Sequence, residues 1–105
     1  MDIQSIQAFL KVSELGSFSR AAEELFITQP AVSKRIQSLE NSLNPTLFDR
    51  IGKRVQLTEA GLALMPNYLR IIEALNESHR IISNLREKTS GVLKLATSHH
   101  IGLHR

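Results

Sequence analysis

The sequence predicts a mainly α-helical fold, in which three short helices and a two-stranded β-hairpin precede one long helix. Three observations predict it. Apolar residues recur at helical spacing in residues 2–15, 19–25 and 28–43. Asn44-Pro45 then ends the helical pattern, and residues 46–57 hold two short extended segments around a turn. From residue 59 onward, apolar residues again follow the period of a helix.

The composition is that of a globular domain, because 42% of the 105 residues are hydrophobic. The chain has no cysteine, which excludes a disulfide framework and a thiolate zinc site. It also shows neither an apolar run long enough to cross a bilayer nor the pattern of a signal peptide. The net charge is +3, and residues 29–54 alone carry the same net charge. This concentration favours a polyanionic partner, with a solvated charge cluster as the alternative.

The helix at residues 28–43 has the features of a DNA-recognition helix. Thr28 suits the N-cap, and Pro30 in the first turn needs no hydrogen-bond donor there. The free N–H groups at this helix start suit a phosphate. Its apolar stripe consists of Val32, Ile36, Leu39 and Leu43, and its opposite, mildly basic face consists of Pro30, Ser33, Lys34, Gln37, Ser38 and Asn41. An ordinary amphipathic helix with a solvated face is the alternative for this segment taken alone.

The segments before this helix complete a helix-turn-helix. Gly16 ends the helix at residues 2–15, and the serines of residues 17–19 can cap a short helix at residues 19–25. Ala21 and Ala22 permit a close helix crossing. A tight turn through Phe26 then leads to the capped recognition helix. This order of features is more specific than helix propensity alone.

The two extended segments form a wing. Residues 46–50 and 55–57 are its predicted strands, and residues 51–54 contain the turn. Such a ribbon is unstable alone, so it must pack on the helices. Lys53 and Arg54 at its tip are placed to reach a phosphate backbone or the minor groove, and two solvated loop cations are the alternative.

The long helix begins after the capping residue Thr58 and is predicted to run to about Lys88, roughly 45 Å. Its apolar stripe predicts pairing with a second copy. Pro66 predicts a kink, with a break near Met65 as the alternative. The predicted dimerisation residues are Leu64, Tyr68, Ile71, Ile72, Leu75, Ile82 and Leu85.

The last segment, residues 90–105, includes a predicted buried strand at residues 92–96. A strand with no partner suggests that a second domain starts here. His99, His100 and His104 could place two imidazoles on one helical turn, but no scaffold for a metal site accompanies them. We therefore expect neither a metal nor another cofactor. No arrangement of catalytic residues predicts an enzyme, whereas a pure helical dimerisation module is an open alternative.

In several motifs the chain resembles the LysR-type transcriptional regulators. The resemblance covers residues 1 to about 62, and two departures are Asn44-Pro45, where the family usually has glycine, and Lys34, where many relatives have arginine. The motifs are Phe9 with Gly16-Ser17-Phe18-Ser19, Ala21-Ala22-x-x-Leu25, Thr28-Gln29-Pro30-Ala31-Val32-Ser33, Ile36-x-x-Leu39-Glu40, Leu47-Phe48-x-Arg50 and Leu57-Thr58-x-Ala60-Gly61.

The resemblance implies a winged helix-turn-helix DNA-binding domain at residues 1–58 (helix-turn-helix 18–37, wing 46–57). It further implies a dimerising linker helix at 59–89 and the start of a truncated effector-binding domain at 90–105. The implied protein is a cytoplasmic bacterial regulator that binds an inverted-repeat operator as a homodimer through the linker helix, with assembly of the full-length protein beyond a dimer left open. In full length it responds to a small-molecule effector, with Thr97, Ser98 and His99 near the missing pocket.

The resemblance also assigns roles to individual residues. The resemblance leaves two roles open for Arg50. It could form an ion pair with Glu40 inside the domain, which is favoured, or contact the DNA backbone. The residues implied to face bases are Gln29, Pro30, Ser33 and Lys34, with Gln37 at the edge. Those implied to hold phosphates are Ser17, Ser19, Thr28, Arg35, Lys53 and Arg54.

Overall fold

The computed structural model describes residues 2–52 and 54–97, with side chains as far as residue 88. Three helices come first in the chain, as predicted: α1 (Ile3–Leu15), α2 (Phe18–Leu25) and α3 (Gln29–Leu43). They are followed by strands β1 (Phe48–Ile51) and β2 (Arg54–Leu57) and by α4 (Glu59–Thr97). The described residues divide into two compact units after Ile72.

Short polar side chains begin each of the first three helices. The carboxylate of Asp2 accepts a hydrogen bond from the backbone N–H of Ser5 at 2.8 Å. Ser17 and Thr28 accept bonds from N–H groups three residues ahead, at 3.1 and 3.2 Å. These contacts satisfy donors that have no partner inside the helix, so the start of each helix is fixed locally.

The ends of the helices are equally local. Gly16 closes α1 in the left-handed conformation, with φ at 66°, and its N–H donates to the carbonyl of Val12. Asn44 ends α3 with φ at 84°, and its N–H donates to the carbonyl of Glu40. The predicted ends at Gly16 and Asn44-Pro45 are therefore confirmed.

The two strands form an antiparallel ribbon. Phe48 pairs with Leu57 at its base, and Ile51 pairs with Arg54 next to the turn. The first strand begins and ends later than the predicted 46–50, since the paired residues run from Phe48 to Ile51.

Thr58 fastens the base of the ribbon to the start of α4. Its hydroxyl donates to the carbonyl of Thr46 at 2.7 Å and accepts from the N–H of Gly61 at 3.1 Å. Its backbone N–H donates to the carbonyl of Leu47 at 3.0 Å. One threonine therefore caps α4, as predicted, and also joins the two sides of the ribbon.

Helix α4 runs without a break through Pro66 and continues beyond Lys88 to Thr97. The alternative of a break near Met65 is not observed. The predicted strand at residues 92–96 is wrong, because these residues are helical. A short apolar run fits a strand or a helix equally well, and a helix satisfies its backbone hydrogen bonds without a partner strand. Among the described residues, no helix is long and apolar enough to cross a membrane.

The core of the first unit centres on an aromatic cluster. Phe9 contacts the rings of Phe48 and Tyr68, each at a centroid distance of 5.3 Å, and Tyr68 meets it edge-on. Phe18 lies 6.0 Å from Phe48 on the other side. These four rings join α1, α2, β1 and the beginning of α4. The other buried apolar residues are Ile6, Ala8, Val12, Ala21, Ala22, Val32, Ile36, Leu39 and Leu47.

The core corrects the prediction for part of the α4 stripe. Tyr68 is only 2% exposed, because its ring fills the core of its own chain, so its side chain leaves little surface for a second copy. Leu64, Ile71 and Ile72 also pack against this core and are partly buried. An apolar stripe reveals that a face is covered but not what covers it.

Candidate nucleic-acid interface

Helices α2 and α3 and the turn between them form the helix-turn-helix. The buried Ala21 and Ala22 lie on the side of α2 that faces the core, and Val32 and Ile36 are the buried residues of α3. This packing leaves the opposite side of α3 and both helix N-termini at the surface.

The exposed side of α3 presents the side chains expected to read bases. Pro30 lies in the first turn, and Lys34 follows one helical turn later. Ser33 is half-buried, beside a cavity of about 260 Å³ that it lines together with Phe18 and Arg50. The predicted base-facing residues that are fully exposed are Gln29, Pro30, Lys34 and Gln37. The structure therefore leaves four of the five exposed and Ser33 half-buried, and their role in reading bases stays a prediction.

Arg35 lies on a different side of α3. It is half-buried and attracts the carboxylate of Asp2 at the start of α1. The pKa of Asp2 is lowered chiefly because its carboxylate accepts hydrogen bonds from the backbone and hydroxyl of Ser5, and Arg35 adds to this effect. Arg35 therefore differs from the exposed Lys34 in being partly buried.

Two helix N-termini carry hydroxyls that were expected to hold phosphates. The oxygens of Ser17 and Thr28 accept backbone hydrogen bonds as caps, which leaves each hydroxyl proton available to an acceptor such as a phosphate. Ser19 and Thr28 are exposed, and Ser17 is half-buried. The positive dipole ends of α2 and α3 therefore coincide with hydroxyl donors.

The favoured pairing of Arg50 with Glu40 is wrong. The Arg50 guanidinium carbon lies 4.8 Å from the centroid of the Phe18 ring. Glu40 accepts a hydrogen bond from the backbone N–H of Leu47 at 2.7 Å. A cation over an aromatic face is held by the ring's quadrupole while its N–H groups remain accessible. Arg50 therefore presents a charge beside Ser33 and Gln37 of α3.

The wing contributes Arg54, which is exposed at the first position of β2. Lys53, its predicted companion, lies outside the described residues. Lys11 forms ion pairs with Glu14 and Glu24, and Arg80 forms one with Glu77. None of these pairs includes a described cation of α3 or the wing (Lys34, Arg35, Arg50 or Arg54), so the charge of these four residues is available to a polyanion.

Sequence reasoning missed three features of this surface. Arg20 is exposed in the first turn of α2, next to the Ser17 cap. Arg50 gains its position from Phe18, a contact that no spacing rule indicates. Phe26 was interpreted as a turn residue, yet its side chain is 94% exposed. The sequence did contain a signal for this exposed ring, because an aromatic residue in a turn directly before the polar start of a helix is unusual.

The described residues contain no group of three or more histidine, aspartate or glutamate side chains arranged to hold a metal. The candidate ligands His99, His100 and His104, together with Ser98, lie outside the described residues, as does the side chain of Thr97.

A three-helix core with a helix-turn-helix and a two-stranded wing defines a winged helix-turn-helix protein. Residues 3–62 match the family model described as "Bacterial regulatory helix-turn-helix protein, lysR family". The chain belongs to the LysR family.

Relatives and solved structures agree with this assignment. An HTH-type transcriptional regulator in the ibpB–leuC intergenic region of Azotobacter vinelandii is 57% identical over all of this chain and 73% of that protein. The transcriptional activator CmpR of Synechocystis is 36% identical over 90% of this chain, which spans only 31% of that protein.

Two DNA complexes share the fold. The DNA-binding domain of CbnR in complex with DNA is 31% identical, with a TM-score of 0.72 over 76% of this chain and 92% of that one. The DNA-binding domain of BenM with the catB site 1 DNA is 27% identical, with a TM-score of 0.77 over 81% of this chain and 96% of that one.

Proposed function

We propose that this chain binds double-stranded DNA in a sequence-specific manner, as a homodimer, and forms the DNA-reading part of a cytoplasmic bacterial transcription regulator. The observation that carries the proposal is a set of four exposed residues on α3, Gln29, Pro30, Lys34 and Gln37, close to the capped N-termini of α2 and α3. Binding rather than catalysis is the proposed activity. The two DNA complexes of similar fold support it.

The proposed division of labour follows from chemistry. Lysine and glutamine side chains in a major groove read the edges of bases, whereas hydroxyls, helix N-termini and wing cations hold phosphates. Ser17, Ser19, Thr28 and Arg54 belong to the second group, and Arg35 joins it from the flank of α3. Two copies related by a dimer axis read an inverted repeat, with half-sites one helical turn or a multiple of it apart.

We further propose that exposed apolar residues of the second unit pair two copies. Ile82 and Leu85 were expected in this role, and Ile81 is exposed on the same helix. Regulation by a small-molecule effector belongs to the proposal for the complete protein, in which residues 90–105 lead into the effector-binding domain.

Fluorescence anisotropy across a salt series tests the function. The probe is a duplex selected by this chain from a randomised pool, with a scrambled duplex of the same composition as the control. We expect tighter binding to the selected duplex and a steep loss of affinity with salt, because bound phosphates release counterions. Intact dimers that bind neither duplex at low salt would leave the dimerisation module as the better account.

A further inference from the structure

The turn between α2 and α3 displays Phe26, the most exposed large hydrophobic side chain among the described residues. Its ring is 94% exposed, and its backbone adopts the left-handed conformation, with φ at 58° and ψ at 41°. Either feature alone is unremarkable in a surface turn. Their combination on an aromatic residue requires an explanation.

The turn itself does not favour phenylalanine. The N–H of Phe26 donates to the carbonyl of Glu23 at 3.2 Å, and the N–H of Ile27 donates to the carbonyl of Ala22 at 3.1 Å. These two bonds form the Schellman motif, in which the left-handed position is normally glycine or asparagine. A side chain with a Cβ is disfavoured there, so the geometry of the turn would be satisfied better by either of those residues.

The core does not require the ring either. Leu25 and Ile27, on both sides of Phe26, are partly buried and pack against the core. The aromatic cluster of the core is complete without it. Strained backbone positions that folding does not require are concentrated at ligand-binding sites.

The position of Phe26 indicates what covers it. Only two residues separate it from Gln29, so their Cα atoms are at most about 11 Å apart. A duplex that receives the N-terminus of α3 therefore passes close to the ring. The edge of a major groove offers apolar surface there, in the 5-methyl groups of thymine and in deoxyribose.

We propose that the ring of Phe26 packs against the apolar surface of the DNA that α3 reads, as an affinity-determining residue of this interface. This inference rests on the proposed function. The ring replaces contact with water by contact with methyl or sugar carbon when the duplex binds. The left-handed backbone holds the ring outward for that contact, and this conformation lowers the stability of the domain in the absence of DNA.

Substitution by asparagine and by glycine tests the proposal, because both residues suit the left-handed turn. F26N and F26G are expected to raise the thermal midpoint of unfolding and to weaken binding to the selected duplex about fivefold or more. The slope of log affinity against log salt should stay unchanged, because the ring carries no charge. L69N, which alters an exposed leucine of α4, is the matched control and should leave affinity unchanged.

A duplex with uracil in place of thymine separates the two sources of apolar surface. If the wild type loses affinity for it and F26N does not, the ring contacts thymine methyls. If F26N is equally weakened on both duplexes, the ring contacts deoxyribose. Equal affinity of wild type, F26N and F26G for the selected duplex would overturn the inference while leaving the proposed function intact. If the wild type binds no duplex, both this inference and the proposed function are refuted.

Discussion

The guanidinium of Arg50 lies over the ring of Phe18 at 4.8 Å, although the acidic side chain of Glu40 is close by. Glu40 is occupied instead with the backbone N–H of Leu47, at 2.7 Å. The two residues thus serve different purposes: one presents a charge at the surface, and the other fixes the entry to the wing.

We expect the carboxylate of Glu40 to act as a hydrogen-bond acceptor rather than as a charge. E40A should lower the free energy of unfolding by about 1–3 kcal/mol, because the N–H of the buried Leu47 loses its acceptor. E40Q keeps an acceptor oxygen and should lose much less. Urea unfolding of both variants measures the difference, and equal losses would show that the negative charge matters.

Gly61 should not tolerate a methyl group. An added Cβ would lie 2.5 Å from the carbonyl oxygen of Leu47 and 2.7 Å from a methyl carbon of Leu57. Alanine normally stabilises a helix relative to glycine, but G61A is expected to cost about 1–3 kcal/mol through overpacking. The exposed A63G, in the same helix, is the control and should cost about 1 kcal/mol. A more stable G61A would contradict the close approach.

Two single variants should distinguish the proposed base-reading role of Lys34 from the proposed phosphate-binding role of Arg54. K34A is expected to relax the choice between the selected and scrambled duplexes. R54A should weaken binding to both alike and reduce the magnitude of the salt slope by about one. R70A, in which an exposed arginine of α4 is removed, controls for total charge. If K34A and R54A affect both duplexes equally, the proposed division is wrong.

Lys11 should stabilise the fold except at alkaline pH. Hydrogen bonds to Glu24 and then to Glu14 raise its pKa above the ordinary 10.5. A raised lysine pKa contributes stability that is fully present below the unfolded value and is lost as the pH rises through the folded one. K11M should therefore be less stable than the wild type at pH 7, by about 0.2–1 kcal/mol for exposed pairs. Thermal unfolding at increasing pH should show this difference closing above pH 10.5.

Core and interface residues of α4 should respond differently. Y68A is expected to cost about 3 kcal/mol or more, because it empties a space next to Phe9. I82S should instead weaken self-association and leave the first unit folded. Sedimentation measures association, and thermal unfolding followed by far-UV circular dichroism reports on the folding of both variants. If Y68A dissociates into monomers that keep a folded core, Tyr68 acts at the interface between two copies rather than in the core.

The sequence predicted best what is decided within a few residues. Ser17, Thr28 and Thr58 cap the helices that follow them, since an N-cap depends only on a hydroxyl and the next N–H groups. Gly16 and Asn44 ended their helices for equally local reasons. The buried side of α3 followed from the helical period of its apolar stripe.

The incorrect predictions concern residues whose environment depends on contacts with residues far away in the sequence. The burial of Tyr68 depends on Phe9, which lies far away in the chain. The partner of Arg50 was chosen by charge, whereas the structure selects a ring. The helical form of residues 92–96 could not be read from a short apolar run, because strand and helix share that pattern.

Thr58 gives the wing a base that is independent of its tip. Because the hydroxyl and N–H of this one residue bind Thr46 and Leu47, the two ends of the ribbon stay together whatever lies between Ile51 and Arg54. Insertions and deletions at the tip would change only the loop between two anchored ends, and longer loops add little entropic cost. The tip is thus a position where a lineage can vary the reach of the protein along its binding partner without risking the fold.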